Sequence, residues 1–177
     1  MRKILGNILL SAGVCFTLYS GLMYFQSISP RTVSFENAFP QNINYDTSVD
    51  SPERLIIKDL GINLPIVPTQ ISNNQWGLTD SGVSYLATSP LPGNQGNSVL
   101  YGHNWKSILG NLQKVKVGDT IDVVYKDGSK EFVVMYIQIV SPQDISVLDP
   151  TEDSRITLFT CTGFLDSKRL VVSAREV

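Results

Sequence analysis

The stretch DTIDVVYKDGSKEFVVMYIQIV, residues 119–140, decides the fold class. Two runs rich in β-branched and aromatic residues, Ile121 to Tyr125 and Glu131 to Val140, flank Asp127 and Gly128. An Asp-Gly pair readily adopts the positive φ angles of a tight hairpin turn, so the stretch reads as two antiparallel strands. Working outward, similar short runs recur between turn residues: RLIIKDL, INLPIVP and NSVLYGH before it, SRITLFTC and KRLVVSAREV after it. Short strands at this spacing predict an all-β barrel or sandwich. Gly61 and Gly118 mark two further tight turns. Little helix is expected: a turn or two over Gly82–Leu86, and another over Trp105–Leu112, where Ile108, Leu109 and Leu112 share a face. Pro65 and Pro68 demote their strand to an edge or a short piece.

Three parts follow along the 177 residues: 1–30, 31–53 and 54–177. Met1, Arg2 and Lys3 give a basic start, and Ile4 to Ser29 carries no charge at all. A spanning helix needs about 20 mostly apolar residues. The first part therefore reads as a transmembrane anchor with its amino terminus in the cytoplasm and the rest outside. Tyr19, Tyr24 and Phe25 belong at the outer interface, and Cys15 is a small apolar residue of the span. Cleavage after a residue such as Ala12 is the alternative. Residues 31–53, RTVSFENAFPQNINYDTSVDSPE, are polar and aperiodic and read as a stalk. The remainder is long enough for one domain with a sizeable core. A formal net charge of -2 and a pI near 5.3 give no basic stripe, which disfavours nucleic-acid binding.

The chain has two cysteines, Cys15 and Cys161, and with Cys15 in the apolar run no internal disulfide is expected. His103, the sole histidine, follows the strand-like NSVLYG. Cys161 ends ITLFT, and Arg169 opens the next run. Strand ends are where loops leave a barrel and pockets form. A thiolate attacks carbonyls, an imidazolium protonates a departing amine, and a guanidinium or backbone amide stabilises an oxyanion. Each residue has a plainer reading: a packed thiol, an ordinary histidine, and Arg169 paired with Asp166 on the surface.

The surrounding words sharpen this. NSVLYGHN, then LGNLQKVKVGDTI, then ITLFTC with RLVV close behind, closely resemble the sortase family, the membrane-anchored cysteine transpeptidases of Gram-positive surfaces. The resemblance runs from about Arg54 to Arg175 and includes GVSYLATSPLPGNQGN, which leads into the histidine strand. It implies a closed eight-stranded β-barrel. It also implies that Cys161 attacks after the Thr of an LPxTG-like sorting signal to form a thioester. His103 then protonates the leaving amine and deprotonates the incoming one, Arg169 binds the substrate carbonyl or oxyanion, and Thr160 contacts substrate or simply packs in its strand. The implied partners are the sorting-signal peptide and an amine acceptor such as a lipid-linked peptidoglycan precursor.

No cofactor is expected. Asp144, Asp149, Glu152 and Asp153 could modulate activity through calcium, but their spacing fits no metal motif and reads as a solvated acidic loop. The stalk has no Asp-Pro-aromatic motif of the kind that resembles a pilus-building sortase's lid, which favours protein anchoring over pilin polymerisation. Two rival readings stand beside the transpeptidase: a membrane-anchored cysteine peptidase that hydrolyses the thioester, and a non-catalytic surface barrel that binds peptide with Cys161 packed. Loop 141–152 is expected to set peptide selectivity.

Overall fold

The computed structural model describes residues 2–28, 34–35, 51–72 and 75–177, with most of the stalk outside the described residues. It divides into two compact units, Met1–Arg31 and Thr32–Val177. In the first, helix α1 (Arg2–Ile28) takes up the charge-free stretch. Its described side chains, including Leu9, Phe16, Tyr19 and Leu22, are exposed, and so is Cys15. Those of Tyr24 and Phe25 lie outside the described residues. Among the described residues no helix is long and apolar enough to cross a membrane.

The second unit contains strands β1 (Arg54–Ile57), β2 (Ile62–Thr69), β3 (Ile71–Ser72), β4 (Gln75–Trp76), β5 (Val83–Leu86), β6 (Gly96–Gly102), β7 (Thr120–Tyr125), β8 (Gly128–Val140), β9 (Ser154–Thr162) and β10 (Lys168–Glu176). Eight close into a barrel in the order β1-β2-β5-β6-β9-β10-β8-β7, and β3 and β4 form a separate two-stranded ribbon. Closure removes the sheet edges that would otherwise template aggregation. The pairs β2–β5 and β6–β9 are parallel, and the rest of the barrel is antiparallel.

The expected hairpin is β7–β8, shifted by one residue. Tyr125 pairs with Gly128, so Lys126 and Asp127 form the turn and the glycine is already in the strand. Gly61, with φ 63°, and Gly118, with φ 94°, sit in turns as anticipated. Two expectations need correction. Gly82–Leu86 is not a helical turn: Val83 to Leu86 are all buried in β5, where parallel pairing to β2 overrides the local pattern. The prolines, too, lie in an eight-residue strand inside the barrel. They are tolerated because β2 changes partner midway: Ile62–Pro65 pair with β1, and Ile66–Thr69 with β5. Each half thus has one partnered side, and a missing N–H can fall on the other. Over Trp105–Leu112 the chain forms turns that lead into a 3-10 helix at Gly110–Lys114. Ile108, Leu109 and Leu112 are buried together there, as their spacing suggests.

Side-chain alternation divides the barrel strands between two apolar clusters. Leu55, Leu100, Ile121, Phe132, Leu158 and Val172 belong to the interior, each side chain contributing about 1.5–3 kcal/mol on burial. On the opposite face of β6, β9 and β10, Val99, Tyr101, Phe159, Cys161 and Val171 form a second cluster with Trp76 and Phe35. An outer barrel face this apolar needs a cover, and Phe35, from the tract read as stalk, is 2% exposed.

Gly82 enables the β2–β5 approach: a Cβ there would lie 2.3 Å from the Pro65 carbonyl oxygen and 2.9 Å from its Cγ. Backbone cannot yield as a flexible side chain does. Gly82→Ala is expected to cost about 1–3 kcal/mol, read as a lower denaturant midpoint for the full chain.

Candidate active site

The parallel ladder of β6 and β9 ends with Tyr101 opposite Phe159 and Gly102 opposite Thr160. One residue further on lie His103 and Cys161. On the other side of β9, Cys161 is opposite Arg169 of β10. Neighbouring strands are about 4.8 Å apart, so three strands bring the backbones of His103, Cys161 and Arg169 within roughly 10 Å. Alternation turns all three side chains to the outer face, since Leu100, Leu158 and Leu170 point into the barrel. The three residues read from the sequence are thus brought together at one end of three adjacent strands.

Thr160 holds the strand ends in register. Its side chain is buried, and its hydroxyl donates 2.7 Å to the carbonyl of Gly102, the residue before His103. That hydroxyl is therefore engaged within the barrel and acts on the site through position. Gly102 leaves room beneath: a Cβ there would meet Ile108 and Leu109 at 3.1 and 3.2 Å.

His103 is 8% exposed and fixed from two sides. Its ring stacks on the indole of Trp105 with centroids 4.0 Å apart and an interplanar angle of 2°. Its Nε2 lies 2.9 Å from Oδ1 of Asp80. A carboxylate only accepts, so Nε2 carries the hydrogen and Nδ1 remains for proton exchange with reacting groups. Asp80 had no signal in the sequence, because the contact spans 23 positions and the residue sits in an unremarkable turn.

Arg169 does not pair with the Asp166 carboxylate. It is 5% exposed, and its donors all meet backbone carbonyls. Nη1 donates to Asp166 at 2.9 Å and to Lys168 at 3.0 Å, while Nε and Nη2 both donate to Ser34, at 3.1 and 2.8 Å. Loop 163–167 shapes this geometry: Leu165 and Asp166 take left-handed φ angles of 52° and 58°, uncommon away from glycine. Cys161 is 4% exposed, within the cluster that Phe35 and Trp76 help close.

On the same outer face lies a cleft of about 550 Å³, lined by Ile71, Trp76, Leu86, Val99, Ile145 and Leu148 among others; it shares Trp76, Leu86 and Val99 with the cluster that contains Cys161. Loop 141–152 therefore supplies part of its wall, and Asn97 ties that loop down. The Asn97 amide donates to Val147 at 3.2 Å and to Asp149 at 3.1 Å, and its Oδ1 accepts from Thr157 at 2.7 Å. The acidic residues there are partly engaged within the chain. Ser146 donates to Asp144 at 2.6 Å, and the Arg155 guanidinium, 2.8 Å from Asp153, holds that carboxyl below its usual range. Among the described residues no group of three or more His, Cys, Asp or Glu could hold a metal ion.

The sortase domain family model matches residues 55–177. The chain belongs to the sortase family. Sortase A of Listeria monocytogenes is 31% identical over 100 residues, 55% of this chain and 45% of that protein. Sortase A of Bacillus anthracis is 27% identical over 124 residues, 68% of this chain and 57% of that protein. The matches thus span about half the length of these relatives. Among solved structures, sortase C-1 of Actinomyces oris superposes with a TM-score of 0.61 at 29% identity, covering 72% of this chain and 75% of that one. Sortase C1 of Streptococcus agalactiae gives 0.62 at 26% identity over 71% and 66%.

Two expectations follow for this sortase. Asp80 is largely exposed, so its pairing with His103 acts mainly by orientation, and exposed pairs contribute about 0–1 kcal/mol. Asp80→Asn should lower kcat up to roughly fivefold with KM little changed, and Asp80→Glu should recover most of the loss in steady-state assays. Tyr101, under the site, donates to the Gly77 carbonyl and lies 2.8 Å from Thr69 Oγ1; burial pushes its hydroxyl up to about 12 despite the Thr69 contact. The unfolded chain loses this proton near pH 10, before the folded chain does. Stability should therefore fall between pH 10 and 12 by at most ~1.4 kcal/mol per pH unit, and Tyr101→Phe should flatten that slope in denaturation curves.

Proposed function

We propose that this sortase is a membrane-anchored cysteine transpeptidase that joins secreted proteins to the cell wall. The observation that carries the reading is the convergence of His103, Cys161 and Arg169 at one end of β6, β9 and β10. In the proposed reaction the Cys161 thiolate attacks the Thr carbonyl of an LPxTG-like signal, at the peptide bond that follows the Thr. Sγ–C forms as the peptide C–N bond breaks, and His103 gives the departing amine its proton. An incoming amine attacks the thioester carbonyl, His103 takes its proton, and Sγ leaves as thiolate. Arg169 holds the carbonyl whose oxygen gains charge at each step. Thr160 enters as a positioning residue.

None of these steps calls on a resident cofactor, so a chelator should leave the rate unchanged, whereas calcium acting through loop 141–152 would make it fall. The charge-free Ile4–Ser29 stretch and basic start support a single-pass anchor over residues 1–30, with residues 31–53 as stalk and the catalytic unit, 54–177, outside the membrane. The acceptor amine would then belong to a lipid-linked wall precursor, close to the same surface.

The test is to incubate the full chain in detergent with LPxTG-like peptides, with and without a glycine-based amine. Mass spectrometry should find an acyl adduct on Cys161 that hydroxylamine releases, and ligated product when the amine is present. Free acid alone would mark a hydrolase. Cys161→Ala should give no adduct, and His103→Ala should lower turnover ~10²–10⁴-fold.

A further inference from the structure

Trp105 is 48% exposed and belongs to neither apolar cluster, so packing of the core does not account for where its indole lies. Its ring lies flat on His103 instead, and the backbone builds that contact. His103 and Trp105 are two positions apart, the spacing at which side chains of an extended chain fall on one side. The Trp105 carbonyl accepts from the N–H groups of Ile108 and Gly110, both at 2.8 Å, and the Leu109 N–H donates to the His103 carbonyl at 3.1 Å. Ile108 and Leu109 are buried in the interior cluster, which anchors this turn to the barrel. At Gly110 a Cβ would lie 2.8 Å from both the carbonyl carbon and the oxygen of Trp105, so the turn closes this tightly only around a glycine.

We propose that Trp105 is a positioning residue for His103: its indole holds the plane of the imidazole while Asp80 holds Nε2, and the two contacts together keep Nδ1 aimed at the reacting groups. This role rests on the reading of His103 as the group that moves protons during acyl transfer. The two contacts constrain different motions. The hydrogen bond to Asp80 selects which nitrogen is engaged but lets the ring swing about the N···O axis, and the carboxylate is itself largely exposed. A parallel stack, 2° from coplanar, stops that swing, yet a flat indole face does not tell one nitrogen from the other. Only the pair fixes where Nδ1 points. Aromatic rings in general prefer offset or edge-on contact at about 4.5–7 Å. A flat stack at 4.0 Å suits a partner that bears positive charge for part of each turnover, as an imidazole does after taking a proton, because the indole face attracts a cation. Proton transfer needs this precision: a misplacement of about 1 Å at a reacting group can lower a rate by about 10²-fold.

The experiment compares the full chain in detergent with Trp105→Phe, Trp105→Leu and Trp105→Ala. With a single histidine in the sequence, ¹³C-histidine labelling gives one set of imidazole NMR signals. Protons over an aromatic face move upfield, so the wild type should show that displacement, Trp105→Phe should keep part of it, and the Leu and Ala variants should lose it. With an LPxTG-like peptide and a glycine-based amine, Trp105→Leu and Trp105→Ala should each lower kcat about threefold to tenfold with KM little changed. Trp105→Phe should recover most of that loss. Leucine fills the place without a flat face, and it carries the comparison if Trp105→Ala does not fold. In the Trp105→Leu chain, Asp80→Asn should cost more than the roughly fivefold that is its most in the wild type, because two contacts on one ring couple. The clamp is overturned by wild-type imidazole signals with no upfield displacement, by a Trp105→Leu loss confined to KM, or by an Asp80→Asn loss that is the same in both chains. The two failures are distinct. A wild type that neither acylates Cys161 nor turns over any LPxTG-like peptide sinks the transpeptidase and the clamp with it, while equal turnover by wild type and Trp105→Leu sinks the clamp alone.

Discussion

The parallel pairing of β6 with β9 is the constraint on which the site depends. His103 and Cys161 are 58 positions apart, and no local structure could hold them together. A parallel ladder from Gly96–Ser154 to Gly102–Thr160 fixes them one step past its end, and the Thr160 hydroxyl on the Gly102 carbonyl closes that end. A slip of one residue would turn Cys161 into the barrel and Thr160 out, since side chains alternate across the sheet. The interior packing of Leu100 and Leu158 penalises that slip, so the same burial that stabilises the barrel also sets the register of the chemistry.

Arg169 reaches the site by a different route, through antiparallel pairing of β10 with β9. The short connection between them makes that neighbourhood nearly unavoidable. What it does not determine is where the guanidinium points. That comes from the two left-handed residues of the loop, where the Asp166 carbonyl accepts from Nη1, leaving Nε and Nη2 aimed together at one external carbonyl. Strain of this kind persists only where surrounding contacts over-determine it.

The residues that carry short-range pattern were legible in the sequence. Strand runs, the β7–β8 turn to within one residue, Gly61, Gly118 and the buried trio Ile108, Leu109 and Leu112 all follow from alternation, turn chemistry or helical spacing. Val83–Leu86 was not, because four consecutive buried residues carry no period and only pairing with β2 makes them a strand. The chemistry divides the same way. His103, Cys161 and Arg169 were readable as types at strand ends, helped by flanking words that resemble sortases. Asp80, Trp76 and Asn97 were not, since each acts through a contact made by tertiary folding. Phe35 left one visible trace, an aromatic residue in a polar tract, which composition alone assigns to the stalk.

Burial of Cys161 then has two physical readings, and the partners on its face separate them. A thiol packed for stability belongs with an interior whose neighbours are aliphatic and permanent, as around Leu158. Cys161 instead faces outward, and part of its cover comes from a residue on the far side of the stalk tract, beside an arginine bound to that residue's neighbour. A solvent-accessible thiolate is oxidised along a ladder whose upper steps do not reverse, and burial on this face withholds the Cys161 sulfur from that chemistry.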